Sequence, residues 1–284
     1  MSARTQRLLE GLFRLYGMVT TWLGIVVLGV FLVDIFLKGV QRLSLDFLSG
    51  FPSRFPEKAG ILPAEVGTLW IFLLTALFVI PLGIAAAVFL EEFMKKGRLA
   101  SIIEVNIASL AGVPSVIYGI LGLEVFSRWF GWGNTLMAGA ATLALLIFPV
   151  VVLAAREALR AVPRSVREGA YALGATRWQA VWHQVLPASF GGILTGIILA
   201  LSRAIGETAP LIIIGALTYI SFVPDSPWSK FTVLPIQIFN WTSRPQPEFW
   251  ITAAAAIIVL LGMTLLLNGA AVMLRYRWKK KLKW

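Results

Sequence analysis

Six apolar runs separated by short polar stretches divide this chain, at about residues 18–37, 65–90, 103–126, 134–155, 188–222 and 249–274. Each is long enough to cross a hydrocarbon core about 30 Å thick as a helix rising about 1.5 Å per residue. Pro81 and Pro149 predict bends in the second and fourth runs, because proline removes a backbone donor and crowds the preceding turn. Pro114 predicts the same in the third run, inside GVPSVIYGILG from Gly112 to Gly122, whose glycines allow close approach of a neighbouring helix. At about 35 residues the fifth run is too long for one straight span, and a break is expected near Gly206 to Pro210. Residues 40–63 read as an exposed loop with a short surface helix, and 223–248 as a loop rich in proline and tryptophan. The first run is longer than the 7–15 residues of a signal-peptide core and lacks a small-residue cleavage site, so it reads as a retained span.

Composition fits this pattern. Hydrophobic residues make up 58% of the 284 residues and charged ones 14%, with a mean hydropathy of +0.82; soluble domains carry about 25% charged residues. The class is a multi-span α-helical membrane protein. A net charge of +11 in a soluble chain would suggest nucleic acid, but here the basic residues gather at the ends of the runs. The stretches 1–17, 91–98, 156–187 and 275–284 hold seventeen Lys and Arg against seven on the opposite side. By the positive-inside rule both termini and the 156–187 loop face the cytoplasm. Residues 1–17 then form a cytoplasmic N-terminal tail, 18–274 the six-span domain and 275–284 a basic cytoplasmic tail. There is no cysteine and one histidine, His183, so no thiolate or zinc site can be assembled. No GxxxxGK[ST], HExxH or GxSxG sequence is present, so the chain must borrow any ATPase and has no obvious hydrolytic base.

The 156–187 loop is too charged to cross a membrane, yet it lacks the composition of a flexible linker. EGAYAL, Glu168 to Leu173, suits one short helix, which Gly174 ends. On composition alone it can equally be an interfacial helix anchored by Trp178 and Trp182. Gly192 and Gly196 offer a small-residue face for a partner membrane helix, and Trp228 and Trp241 offer outer-side contacts for a soluble partner.

Arg203 and Glu207 lie four residues apart inside the fifth run, hence on one helix face. Either charge alone in hydrocarbon costs roughly 2.5–3.5 kcal/mol, so the pair is a candidate site, with a structural ion pair as the alternative. Pro210 cannot donate to the carbonyl of Gly206, and a second half-helix starting near Thr208 would add amide donors beside the guanidinium. That combination suits a tetrahedral oxyanion.

Glu168, Gly169 and Ala170, then Gly174, then Leu186 and Pro187 resemble the EAA loop of ABC-transporter permeases, with Gly169 in place of the first alanine and Gln184 where isoleucine is usual. SRAIGETAP, Ser202 to Pro210, and GVPSVIYGILGL, Gly112 to Leu123, are similar to motifs of the phosphate-specific permeases of that class, as are ILPAEVGTLW, PLGIAAAVFLEEF and VLPIQIFNW. The resemblance covers nearly the whole chain after about residue 60. It implies an all-α, six-span, MetI-like importer permease with a cytoplasmic coupling helix between the fourth and fifth spans, in the bacterial inner membrane. Implied too are a homologous permease partner, an ATPase dimer that binds ATP and Mg, and an extracytoplasmic phosphate-binding protein. Glu168, Gly169, Ala170, Gly174, Leu186 and Pro187 would serve ATPase coupling, and Ser202, Arg203, Glu207 and Thr208 the substrate pathway, with no cofactor on this chain. A permease for molybdate, sulfate or phosphonate, a passive anion channel and a purely structural subunit are the competing readings.

Overall fold

The computed structural model describes residues 3–95, 97–216 and 219–281, with the side chains of 3–8 and 278–281 left aside. The basic residues expected at Arg4, Arg7, Lys96, Lys279, Lys280, Lys281 and Lys283, and the end of the fifth run at Leu217 and Thr218, therefore lie wholly or by their side chains outside what is described. Among the described residues all regular structure is helical: α1 (Ala3–Gly39), α2 (Leu45–Ser49), α3 (Leu62–Val88), α4 (Arg98–Leu110), α5 (Ser115–Gly122), α6 (Leu136–Arg160), α7 (Arg164–Ala172), α8 (Arg177–Ala180), α9 (Leu186–Ile205), α10 (Ala209–Ile214), α11 (Leu234–Thr242) and α12 (Glu248–Lys281). Wider π-helical turns extend three of them, at Phe89–Phe93 after α3, Leu123–Trp129 after α5 and Val181–Val185 before α9.

Among the described residues, five helical stretches are long and apolar enough to cross a membrane, six if α4 and α5 count as one span. The central helix is α6, packed against α3 on one side and α9 on another. It is rich in alanine on its buried faces, and Ala138, Ala140, Val152 and Leu159 are fully covered. Its first two backbone donors, which no helix can satisfy internally, are met by a returning turn: Leu136 N–H donates to the Ser229 carbonyl at 3.1 Å and Met137 N–H to that of Pro227 at 2.8 Å. A second apolar cluster of Phe47, Ile61, Leu234, Trp241 and Phe249 joins α2, α11 and α12. The long helix α1 packs on α12 and otherwise presents apolar side chains outward, as a lipid-facing helix does.

Several expectations need correction. The third run is two helices meeting at 100°, a far sharper turn than the bend expected at Pro114. Pro114 has no N–H for the carbonyl of Leu110, four residues back, and that carbonyl accepts instead from the Val113 N–H at 3.1 Å and the Tyr118 hydroxyl at 2.8 Å. Pro81 and Pro149, by contrast, are carried inside α3 and α6. The loop expected at 223–248 contains the nine-residue α11, with Pro235 in its first turn. Trp241 is fully buried between Phe47 and Phe249 and cannot reach a soluble partner, whereas Trp228 is half exposed. The Gly192/Gly196 face is used inside the chain: a Cβ at either glycine would stand 2.7 Å or 2.3 Å from the Cβ of Ala158 or Ala154 on α6.

Gly67 marks another close approach, since a Cβ there would stand 2.0 Å from the Thr232 carbonyl oxygen, a backbone atom. Gly67→Ala should therefore cost about 1–3 kcal/mol, read as a lower thermal midpoint in detergent. An unchanged midpoint would mean that α3 and the strand-like segment before α11 do not meet.

Candidate functional site

The fifth run breaks where Gly206 and Pro210 predicted. Helix α9 ends at Ile205, three residues intervene, and α10 begins at Ala209 with Pro210 in its first turn. Because Pro210 offers no N–H, the Gly206 carbonyl is reached instead by the Thr208 hydroxyl, at 3.4 Å. The break is braced from outside: α5 packs on α10, and a Cβ at Gly119 would lie 2.8 Å from the Pro210 Cα. GVPSVIYGILGL and SRAIGETAP, far apart in sequence, thus meet in space.

Arg203 Nε donates to Glu207 Oε1 at 3.3 Å, a single long contact, and its two terminal nitrogens make no hydrogen bond among the described residues. Its side chain is 55% exposed against 17% for Glu207. On the opposite, inner side of the break, Leu201, Ala204, Ile205 and Leu211 close on α3 around a void of only about 10 Å³, no larger than about one water requires. The guanidinium therefore points away from this chain's own core, onto a face the chain does not cover. Ser202 is not gathered with it. The Ser202 hydroxyl lies 2.6 Å from the Ile198 carbonyl and 2.7 Å from Asn268 Oδ1, in the seam between α9 and α12.

The charged loop folds as two short helices. Helix α7 is closed by a paired-bond C-terminal motif: Ala175 N–H donates to the Ala170 carbonyl at 3.0 Å and Gly174 N–H to that of Tyr171 at 2.9 Å. Gly174 sits at φ +83°, the left-handed region that favours glycine. A capping box then starts α8, with Gln179 N–H donating to Thr176 Oγ1 and Thr176 N–H to Gln179 Oε1. Glu168, Gly169 and Gly174 are exposed and Ala170 is half-buried; Leu186 and Pro187, half-buried, form the first turn of α9. Trp178 and Trp182 stack at 5.7 Å and are both largely exposed. No residue of α7 is buried.

A network of charges at this end of the bundle escaped the sequence reading. Arg167, beside Glu168 on α7, donates to Glu92 through Nε at 3.2 Å and Nη2 at 2.5 Å. Its Nη1 reaches the Val162 carbonyl at 2.8 Å and Nη2 that of Leu159 at 3.0 Å, where α6 ends. The carboxylate beside it holds Arg167 above the ordinary arginine range, so this cation is permanent. Glu91 accepts from Arg160 at 2.9 Å and from Arg156 at 3.4 Å, and Glu104 on α4 accepts from the same two arginines. Together they line an open cleft of about 820 Å³ that also includes Glu168, Tyr171 and Arg177. The signal available in sequence was Glu91-Glu92 and Arg156/Arg160 at the ends of two apolar runs, which the topology alone pairs.

The family model for the binding-protein-dependent transport system inner membrane component matches residues 79–280. The chain belongs to this family. It is 31% identical over 248 residues to the probable ABC transporter permease protein YqgI of Bacillus subtilis, covering 87% of this chain and 82% of that one. To the phosphate transport system permease protein PstA of Haemophilus influenzae it is 32% identical over 254 residues, 84% and 86% of the two chains. PstA 1 of Mycobacterium tuberculosis H37Rv shows 34% identity over 228 residues, 79% and 72%. Among solved structures, a chain of a bacterial alginate ABC transporter superposes with a TM-score of 0.67 at 19% identity, over 91% of this permease and 92% of that chain. The inward-facing methionine transporter MetNI gives 0.60 at 17% identity, over 77% and 94%. At those identities the structures establish the MetI-type importer fold. The permease is thus a multi-pass membrane component of an ABC importer, a transport subunit that works with an ATPase and a substrate-binding protein.

Gly174→Ala should strain the left-handed turn by about 1–2 kcal/mol. The expected readout is faster amide hydrogen exchange across α7 with unchanged exchange in α6. Equal protection in variant and wild type would show that the turn does not hold α7.

Proposed function

We propose that this permease is the PstA-like half of an importer for inorganic phosphate, and that Arg203 and Glu207 lie on the substrate pathway. One observation carries the reading: in an apolar run, beside an interrupted helix, a guanidinium keeps its two terminal nitrogens unbonded and turns them onto a face its own chain leaves open. A planar fork of N–H donors recognises a tetrahedral oxyanion through paired charge-assisted bonds. Glu207, held at the rim, neutralises the cation when no anion is present or takes the proton of a protonated phosphate. Thr208 adds a hydroxyl at the break. The named relatives from Haemophilus influenzae and Mycobacterium tuberculosis support phosphate as the oxyanion.

The open face is completed by a PstC-like permease, a PstS-like phosphate-binding protein delivers the anion from outside, and a PstB-like ATPase dimer binds ATP and Mg and drives the cycle. Glu168, Gly169 and Ala170 on the exposed α7, turned by Gly174 and linked to the fifth span through Leu186 and Pro187, form the coupling segment on which that dimer acts. The termini and this loop face the cytoplasm of a bacterial-type inner membrane, with 1–17 and 275–284 as cytoplasmic tails flanking the transmembrane domain 18–274. Closure of the ATPase pair tilts the spans, and the site opens alternately to either side.

The test is uptake by vesicles containing the whole complex. Arg203→Gln and Glu207→Gln should each lower ATP-dependent phosphate uptake by roughly 10- to 100-fold, the worth of one hydrogen bond to a charged group. Wild-type uptake in both would remove the site. Competition by sulfate or molybdate at equal concentration would move the cargo to another oxyanion, and uptake without ATP would make the protein a channel.

A further inference from the structure

Helix α7 has no buried residue, so a force applied to it must enter the bundle through whatever side chains tie it down. Arg167 is the side chain that does so with directional bonds. It sits next to Glu168, and its guanidinium uses Nε, Nη1 and Nη2 against two separate pieces of chain: the carbonyls of Leu159 and Val162 at the end of α6, and the carboxylate of Glu92. The Glu92 side chain is 6% exposed and that of Arg167 17%, so the pair is shielded from water and ions.

The partner carboxylate is presented by an unusual piece of helix. Glu91 and Glu92 are neighbours, which a regular α-helix points about 100° apart, and they lie in the π-helical turn Phe89–Phe93. Such turns recur at functional positions in helices. Here Glu91 reaches back to Arg156 and Arg160 on α6, while Glu92 reaches Arg167 on α7. The end of α3 therefore grips the core helix with one carboxylate and the exposed loop helix with the next.

We propose that Arg167 and Glu92 are the positioning pair that couples the loop to the spans: they make α7 and the ends of α3 and α6 one rigid body, so that displacement of α7 moves α3 rather than bending the loop. The proposal rests on the assignment of α7 as the segment the ATPase grips. It adds which residues carry the motion inward, and neither residue touches substrate.

The experiment uses the complete complex in vesicles and reads two rates at once, ATP hydrolysis and oxyanion uptake. Glu92→Gln keeps the shape of the side chain and leaves Arg167 its two carbonyl partners, removing only the ionic link to α3. It should assemble with its partners and hydrolyse ATP while moving about tenfold fewer anions per ATP, within the usual range for a coupling free energy. Arg167→Lys keeps the charge and loses the fork, and should show a smaller loss in the same ratio. It also supplies the reading should Glu92→Gln fail to assemble. A wild-type ratio in the assembled variants overturns the proposal, as does a fall in hydrolysis that matches the fall in uptake, the mark of a merely structural contact. If the wild-type complex imports a different oxyanion, the cargo assignment fails while the ratio is still read with that anion. If it transports without ATP, the ATPase assignment itself fails.

Discussion

Backbone carbonyls in apolar surroundings must find a donor within the protein, because neither lipid nor a dry core can supply one. This chain removes that donor at two places that matter, by putting proline four residues after Leu110 and four after Gly206. Nearby donors answer, the Val113 N–H and Tyr118 hydroxyl at the first and the Thr208 hydroxyl at the second. The interrupted helices can therefore persist, and they brace one another through the contact of Gly119 with Pro210. The irregular backbone beside Arg203 is thus supported on its inner side by a close-packed wall and left open on its outer side.

Two ion pairs of similar appearance have opposite physical characters. The Arg203–Glu207 contact is single, long and half exposed, and such a pair contributes about 0–1 kcal/mol to stability. Its partners are correspondingly available to a ligand. The Arg167–Glu92 pair is shielded and multiply bonded, and removing one partner from a buried pair typically costs about 3–5 kcal/mol. The first arrangement is suited to exchanging partners and the second to keeping them.

The features legible in sequence were those with local causes. Apolar run length set the spans, Gly206 and Pro210 set the break, and Gly174 set the end of α7, each through the conformational limits of one or two residues. What escaped depended on register between distant segments. Gly192 and Gly196 invite any small-residue partner, and only the packing of α9 on α6 assigns them to Ala158 and Ala154. Trp241 looked like an outer-surface aromatic because its run is short and rich in proline; α11 instead turns it into the cluster with Phe47 and Phe249. The right angle after Leu110 exceeded the modest bend a proline alone suggests. The Glu91, Glu92 and Arg156, Arg160, Arg167 network was invisible for the same reason, since each charge alone reads as a solvated end of a span.

Helix α7 has nine residues, fewer than the roughly 12–15 at which an isolated helix becomes even marginally stable in water. Its shape in the free subunit thus rests on the Gly174 turn, the capping box of Thr176 and Gln179, and one arginine. A subunit that grips α7 must supply whatever ordering these leave undone, and that ordering is subtracted from the affinity. On the proposed coupling reading, Thr176 and Gln179, by satisfying each other's backbone donors in advance, lower the ordering that such a subunit must supply.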